Sequence, residues 1–250
     1  MSAMWTIAKR EIVSFFLSPF AYVVLTAWVL WQGAMFAIFC FFVAGAPVGS
    51  ASEADPLQML FGQTTLFFIP LLVFVPVLTM RLLAEETRQG TLETLLTAPV
   101  TSTGVVLGKY IAAMVFWGAL WLPTLMYAWL TSRFGDVDWG RLGATFVGIF
   151  GVGAYYMSLG LLMSAIAKSQ ISAAVLTFMC LGSLFAVGIL QFMSLDDATL
   201  QLVRYVSVWQ HMQSFSSGIV DSRFVAYDLT LAGLGVFLAV QVLEIRRVEA

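Results

Sequence analysis

Charged residues are scarce in this 250-residue chain, which has 12 Lys or Arg and 14 Asp or Glu residues, or 10% of the sequence. Soluble domains are about 25% charged and about 45–50% apolar, whereas this chain is 60% hydrophobic. So few polar side chains could not cover a water-soluble globule, which predicts an integral membrane protein. The formal net charge of −2 offers no basic surface, so we expect no nucleic-acid partner.

Residues that bind metals or form disulfide bonds are equally rare. The two cysteines, Cys40 and Cys180, both lie in apolar runs, and no CxxC pair or zinc-ligand spacing occurs. The single histidine, His211, excludes a multi-histidine metal site. We therefore expect this chain to bind no metal and no cofactor.

Long intervals without charge predict the membrane spans. Five of them exceed the roughly 20 residues that a helix needs to cross a bilayer, namely residues 12–52, 56–80, 110–132, 142–167 and 169–195. A sixth, residues 229–243, becomes long enough if it is extended at both ends, with Asp228 near one interface. The predicted fold is an all-α polytopic membrane protein, one domain over residues 1–250, with spans at about 20–43, 58–80, 105–131, 141–166, 171–194 and 224–245.

The distribution of Lys and Arg predicts the orientation. Six spans place both termini on one side, and that side holds eight of the 12 cations. Both termini are therefore predicted to be cytoplasmic. A cleaved signal peptide is the competing interpretation of the first span, because Ala44-Gly45-Ala46 resembles a cleavage site. Its apolar region is about 25 residues long, however, against roughly 7–15 in a signal core.

The N-terminal segment has the pattern of an amphipathic helix that ends at Ser18-Pro19. Its apolar positions include Trp5, Phe15 and Phe16, and its polar positions include Lys9 and Arg10. Such a helix lies along the membrane interface. It is either a simple positively charged anchor or an elbow helix that also touches a cytoplasmic partner.

Residues 81–99 form a charged inner connection between the second and third spans. Gly90 is expected to end one helix, and Thr91 to cap a short second helix that Pro99 ends. The charged side and the leucine stripe of this segment predict a surface that docks a partner, although the stripe could instead pack on the protein's own helices. The predicted docking residues are Glu85, Glu86, Arg88, Gly90, Thr91, Leu92, Glu93, Leu95, Leu96 and Pro99.

A second amphipathic segment, residues 194–224, precedes the last span on the outer side. It is predicted to be a re-entrant or surface segment, with functional candidates Trp209, His211, Met212 and Phe215. His211 is interpreted as an exposed or interfacial structural residue, with a ligand or proton-relay role as the alternative.

The sequence lacks the parts of an energy-converting site. The stretch GVVLGKY at residues 104–110 is one residue short of a P-loop, has Tyr where Ser or Thr is needed, and runs into a span. The middles of the first five spans carry no ionisable group, which argues against an ion-driven carrier. Lys109 lies near a span end, where snorkelling would suffice. An intramembrane enzyme is a further alternative, but no catalytic pair is present.

Residues 81–110, RLLAEETRQGTLETLLTAPVTSTGVVLGKY, resemble the signature of ATP-binding-cassette permease subunits of the type-two exporter superfamily. The matching residues are Arg81, Glu85, Glu86, Gly90, Thr91, Glu93, Leu95, Leu96, Pro99, Gly108 and Lys109. Further stretches resemble the gliding-motility-associated permease branch, namely AKREIVSFFLSPFAYV, GDVDWG, SAIAKSQISAAV and HMQSFSSGIVD.

The resemblance implies six spans, an interfacial N-terminal helix, a cytoplasmic coupling helix and outer helical hairpins. It also implies a second permease subunit, identical or not, and separate ATPase subunits that bind ATP and Mg²⁺. The chain would couple ATP hydrolysis to export or movement of a substrate across a bacterial inner membrane. The alternative is a mechanotransmitting subunit that performs envelope or gliding work, with a periplasmic or envelope auxiliary protein as a further partner.

Overall fold

A computed structural model of the chain describes residues 3–45, 60–61, 68–91, 100–133, 137–193 and 196–249. In chain order the helices are α1 (Ala3–Leu17), α2 (Pro19–Ala44), α3 (Phe68–Thr79), α4 (Ala84–Gln89), α5 (Ser102–Thr131), α6 (Trp139–Ile166), α7 (Gln170–Ile189), α8 (Asp197–Val206), α9 (Val208–Ser216) and α10 (Ser222–Glu249). A 3-10 turn, Leu190–Phe192, extends α7. No strand occurs within these ranges, and the predicted all-α fold class is confirmed.

Among the described residues, six helical segments are long and apolar enough to cross a membrane, which confirms the predicted number. They are Pro19–Phe42, Phe68–Gln89, Ser102–Thr131, Trp139–Ile166, Gln170–Phe192 and Ser222–Val248. The predicted boundaries agree to within three residues for all but the second. The second segment includes α3, a turn and α4. Most of residues 58–67, where this span was predicted to begin, lie outside the described residues.

Large apolar side chains cover the outside of the bundle. Leu30 and Phe41 of α2 and Ile171 and Met179 of α7 are all exposed. Contiguous apolar surface of this kind is rare on water-soluble monomers. Because lipid solvates apolar side chains, this surface fits a polytopic membrane protein.

The most buried span, α6, forms the centre of the bundle and packs mainly against α10, α7, α9 and α5. Gly153 of α6 faces Trp117 of α5, and a Cβ at that position would lie only 2.1 Å from the indole Nε1. The same indole N–H donates to the carbonyl of Ile149, at 3.1 Å. The glycine thus lets the Trp117 ring reach the α6 backbone, where the buried indole N–H has an acceptor.

The N-terminal helix α1 lies against α5, and Ser18 separates it from α2, as predicted. A Cβ at Gly108 of α5 would lie 3.0 Å from both Ile7 Cγ2 and the Met4 carbonyl oxygen, so glycine allows this close approach. The rings of Phe15 and Phe16 pack on Phe116 of α5, with centroids 5.4 and 5.6 Å apart. The side chains of Trp5, Lys9 and Arg10 are exposed.

Two short helices, α8 and α9, connect α7 to α10 at the end of the bundle opposite α4. We call α8 and α9 the outer hairpin and the end that holds α4 the inner end. The helices break at Ser207, and a left-handed Gly218 (φ 88°) follows α9. Met212 and Phe215 are buried, and Phe215 lies over Gly148 of α6.

Candidate functional site

The start of α4 is fixed to the central span by a serine. Leu83 occupies the N-cap position and has no side chain that could cap the helix. Instead, the N–H groups of Leu83 and Ala84 both donate to Ser164 Oγ of α6, each at 3.0 Å. Helix starts leave backbone N–H groups unpaired, so Ser164 both satisfies these donors and sets the position of α4.

The end of α4 is set by Gly90, as predicted. Gly90 has a φ of 69°, and its N–H donates to the carbonyls of Glu86 and Thr87. Thr91, predicted to cap the next helix, is itself helical, and its hydroxyl donates to the Glu86 carbonyl at 3.4 Å. The remaining predicted docking residues lie outside the described part of the chain, namely Leu92, Glu93, Leu95, Leu96 and Pro99.

A buried lysine joins α4 to α1 and α5. The Nζ of Lys109 lies 2.9 Å from Glu86 Oε1 and 3.2 Å from Glu11 Oε1, and the lysine side chain is 2% exposed. Arg10 of α1 approaches the same Glu86 oxygen at 3.9 Å. The expectation that Lys109 snorkels is wrong, because two carboxylates from other helices enclose its ammonium. We call Glu11, Glu86 and Lys109 the lysine cluster.

The lysine cluster opens into a cleft of about 660 Å³ at the inner end. On its rim, Arg88 pairs with Glu85 at 3.1 Å and remains 60% exposed. Arg81, also in the lining, lies 4.0 Å above the ring of Phe20. Glu85 Oε2 and Glu86 Oε2 accept no hydrogen bond from any described residue. The cleft therefore holds two buried carboxylate oxygens without a donor among the described residues, beside exposed cations.

Two arginines near the end of α10 contact both α4 and the residues just before α5. Arg246 donates to Thr87 Oγ1 at 3.1 Å and to the Ile166 carbonyl at 2.9 Å. Its neighbour Arg247 donates to the Val100 carbonyl at 3.3 Å, just before α5 begins. Cations at a helix C-terminus are favourable, and here they also tie α10 to α4 and to the start of α5.

The outer candidates lie far from the lysine cluster, in the outer hairpin. Trp209 stacks on Phe68 of α3, with centroids 5.5 Å apart. The interpretation of His211 as exposed or interfacial is wrong, because its side chain is 0% exposed and its Nδ1 lies 3.1 Å from Asp228 Oδ1. Asp228, expected near an interface, is likewise enclosed by protein.

Several of these residues were missed by sequence reasoning. Ser164 of α6 and Arg246 of α10 were not among the predicted site residues. One signal was available for Ser164, because Leu83 cannot cap a helix and α4 therefore needs a distant acceptor. For Glu11, no local pattern identifies its pairing with Lys109.

Comparison with known proteins agrees with this architecture. Residues 34–243 match the family described as "ABC-2 family transporter protein", which covers α2 from its middle through nearly all of α10. A search of curated proteins found no match. The match extends over most of the chain but does not test the gliding-motility branch, which stays a prediction. The chain therefore belongs to the ABC-2 family of transporter proteins, as a multi-pass permease subunit rather than an ATPase domain.

Proposed function

We propose that α4 and the connection that follows it receive the movement of a separate ATP-hydrolysing subunit and pass that movement to the spans. The ATPase subunit would bind ATP and Mg²⁺, and this chain would move a substrate across the membrane. The family implies an ABC-type ATPase partner in general, and the sequence itself carries no P-loop.

The observation that carries the proposal is the way α4 is attached. Polar contacts link this six-residue helix to α6 through Ser164, to α5 through Lys109 and to α10 through Arg246. A helix held at several points moves as a unit with the elements that hold it, because packed interiors transmit strain. A push on α4 would therefore reach three spans at once.

The chemistry of the cleft supports a protein as the partner. Arg88 projects from the rim with its side chain 60% exposed, and its partner Glu85 keeps 23% of its side chain exposed. Exposed charged side chains favour oppositely charged groups of a docking surface. The ATPase should therefore present both a cation and an acid here.

Orientation follows from the same proposal. The ATPase is cytoplasmic, so the inner end and both terminal helices that contact α4 would face the cytoplasm. This agrees with the eight cations counted on that side. The proposal of a second permease subunit and of an envelope protein as further partners is based on the sequence resemblance alone.

Charge reversal at the cleft tests the docking proposal. The tagged chain is purified from its native membrane in mild detergent, and any ATPase that co-purifies is detected by labelling with 8-azido-ATP. We expect Glu85→Lys combined with Arg88→Glu to reduce the labelled ATPase at least about tenfold, as loss of two charged contacts at an interface does.

Glu244→Lys is the matched control, because Glu244 is an exposed acid on α10 outside the cleft. It should retain the ATPase at the wild-type level. Full retention of the ATPase by the double variant, with an unchanged thermal midpoint, would contradict docking at this cleft.

A further inference from the structure

A buried histidine and aspartate join the outer hairpin to the last span. His211 of α9 and Asp228 of α10 are both 0% exposed, and Nδ1 lies 3.1 Å from Oδ1. The other ring nitrogen, Nε2, lies 3.0 Å from the carbonyl oxygen of Tyr205 in α8. One imidazole thus connects three helices at the end of the bundle opposite α4.

The hydrogen-bond partners determine how many protons the pair holds. A carbonyl oxygen only accepts, so Nε2 must carry a hydrogen. A single further proton then lies between His211 Nδ1 and Asp228 Oδ1. Whether that proton sits on nitrogen or on oxygen, the pair has no net charge.

The surroundings hold this pair in a tightly packed site. The His211 ring stacks on Phe224, with centroids 4.3 Å apart, and meets the edge of Tyr227 at 5.3 Å. Asp228 Oδ2 has no partner among the described residues. A Cβ at Gly151 of α6 would lie 3.0 Å from Oδ2, so glycine leaves room for the carboxyl group.

No other charge in the described surroundings is free to balance the pair. The only nearby cation at the start of α10, Arg223, pairs with Asp221 at 2.8 Å, and Arg204 of α8 points to solvent. Asp221 interacts electrostatically with His211, but its carboxylate is already paired with Arg223. The other titratable groups that interact with Asp228 are neutral, namely Tyr155 and Tyr156 of α6 and Tyr227 of α10, and Tyr205 of α8 packs on Tyr227. An uncompensated buried charge is strongly unfavourable.

We propose that His211 and Asp228 form a one-proton binding site that latches the outer hairpin onto α10. A second proton would leave an imidazolium facing a neutral acid. Loss of the shared proton would leave the Nδ1 lone pair facing a carboxylate. Either change puts an unpaired charge into the site, so the hairpin detaches and the outer end opens. This inference concerns the outer end and does not rest on ATPase docking at the inner end.

Two substitutions of Asp228 separate a proton site from a packing contact. In Asp228→Asn, the amide can donate to unprotonated Nδ1 while Nε2–H still donates to Tyr205, but the site no longer has a proton to lose. In Asp228→Leu, Nδ1 has no partner at any pH. Glu244→Gln, an acid-to-amide change at an exposed position of the same helix, is the control.

The measurement is hydrogen–deuterium exchange in residues 197–216 of the full chain in lipid nanodiscs, from about pH 4 to about pH 10, corrected for intrinsic exchange rates. Wild type and Glu244→Gln should exchange slowly at intermediate pH and at least about tenfold faster at both acid and alkaline pH. Asp228→Asn should stay slow at alkaline pH, and Asp228→Leu should be fast throughout.

The proposal is overturned if wild type shows no alkaline increase, or if Asp228→Asn follows the wild-type profile, because the site would then bind no titrating proton. Slow exchange in Asp228→Leu would show that the pair is no latch. If Asp228→Leu fails to fold, the proposal is still tested by comparing the pH dependence of exchange in the isosteric variant Asp228→Asn with that of wild type.

Discussion

Replacing Lys109 by methionine keeps most of the length of the buried side chain and removes its charge. The ammonium that is lost lies 2.9 Å from Glu86 and 3.2 Å from Glu11, whose side chains are 18% and 16% exposed. The variant therefore leaves two carboxylates near each other without the cation that they share. We expect α1 and α4 to loosen from α5.

The size of the effect follows from this geometry. Removal of one partner from a fully buried ion pair costs about 3–5 kcal/mol. The residual exposure of both acids lowers the cost, as does Arg10, which lies 3.9 Å from Glu86. We therefore expect the free energy of unfolding to fall by about 2–3 kcal/mol. Adding Glu11→Gln and Glu86→Gln should restore at least half of the loss, since the repelling charges are then gone.

The assay is equilibrium unfolding of the purified chain in mixed micelles, titrated with dodecyl sulfate and followed by tryptophan fluorescence. Lys168→Met is the matched control because Lys168 is exposed, and it should change stability by less than about 0.5 kcal/mol. An equally small effect of Lys109→Met would refute the reasoning, as would a triple variant no more stable than the single one.

Two further predictions concern close contacts of α6. Ser164→Ala leaves two buried N–H groups at the start of α4 without their acceptor, so the thermal midpoint should fall and exchange in residues 83–89 should rise, with a loss of about 1–3 kcal/mol. Ser183→Ala, whose exposed hydroxyl bonds only within α7, should be neutral in the same assays. Gly148→Ala puts a Cβ 2.4 Å from the Phe215 ring and should cost about 1–3 kcal/mol in thermal unfolding. Phe215→Leu in that background should recover part of the loss, and no recovery would argue against this contact.

Features governed by local sequence were predictable. The charge-free intervals located the spans because a helix in lipid must keep its surface apolar over a fixed length. Gly90 was identified as a helix end because glycine adopts the left-handed conformation without steric cost. Ser18-Pro19 marked the break between α1 and α2 for the equally local reason that proline fits the first turn of a helix.

Features governed by tertiary contacts were not predictable from the same patterns. Lys109 meets Glu11, which is 98 positions earlier in the chain, and hydropathy does not show which helices are neighbours. His211 was interpreted as a polar position on an amphipathic helix. Its burial depends on Asp228 of α10, whose inward direction only the packed bundle reveals.

The most direct test of the central claim is a site-specific photo-crosslink from position 88, on the exposed rim of the cleft, in native cells. With benzoylphenylalanine at that position, the account predicts an adduct whose second component is a cytoplasmic P-loop ATPase identified by mass spectrometry. Adducts that contain only envelope or periplasmic proteins would contradict it, because α4 would then face away from any source of ATP-driven movement.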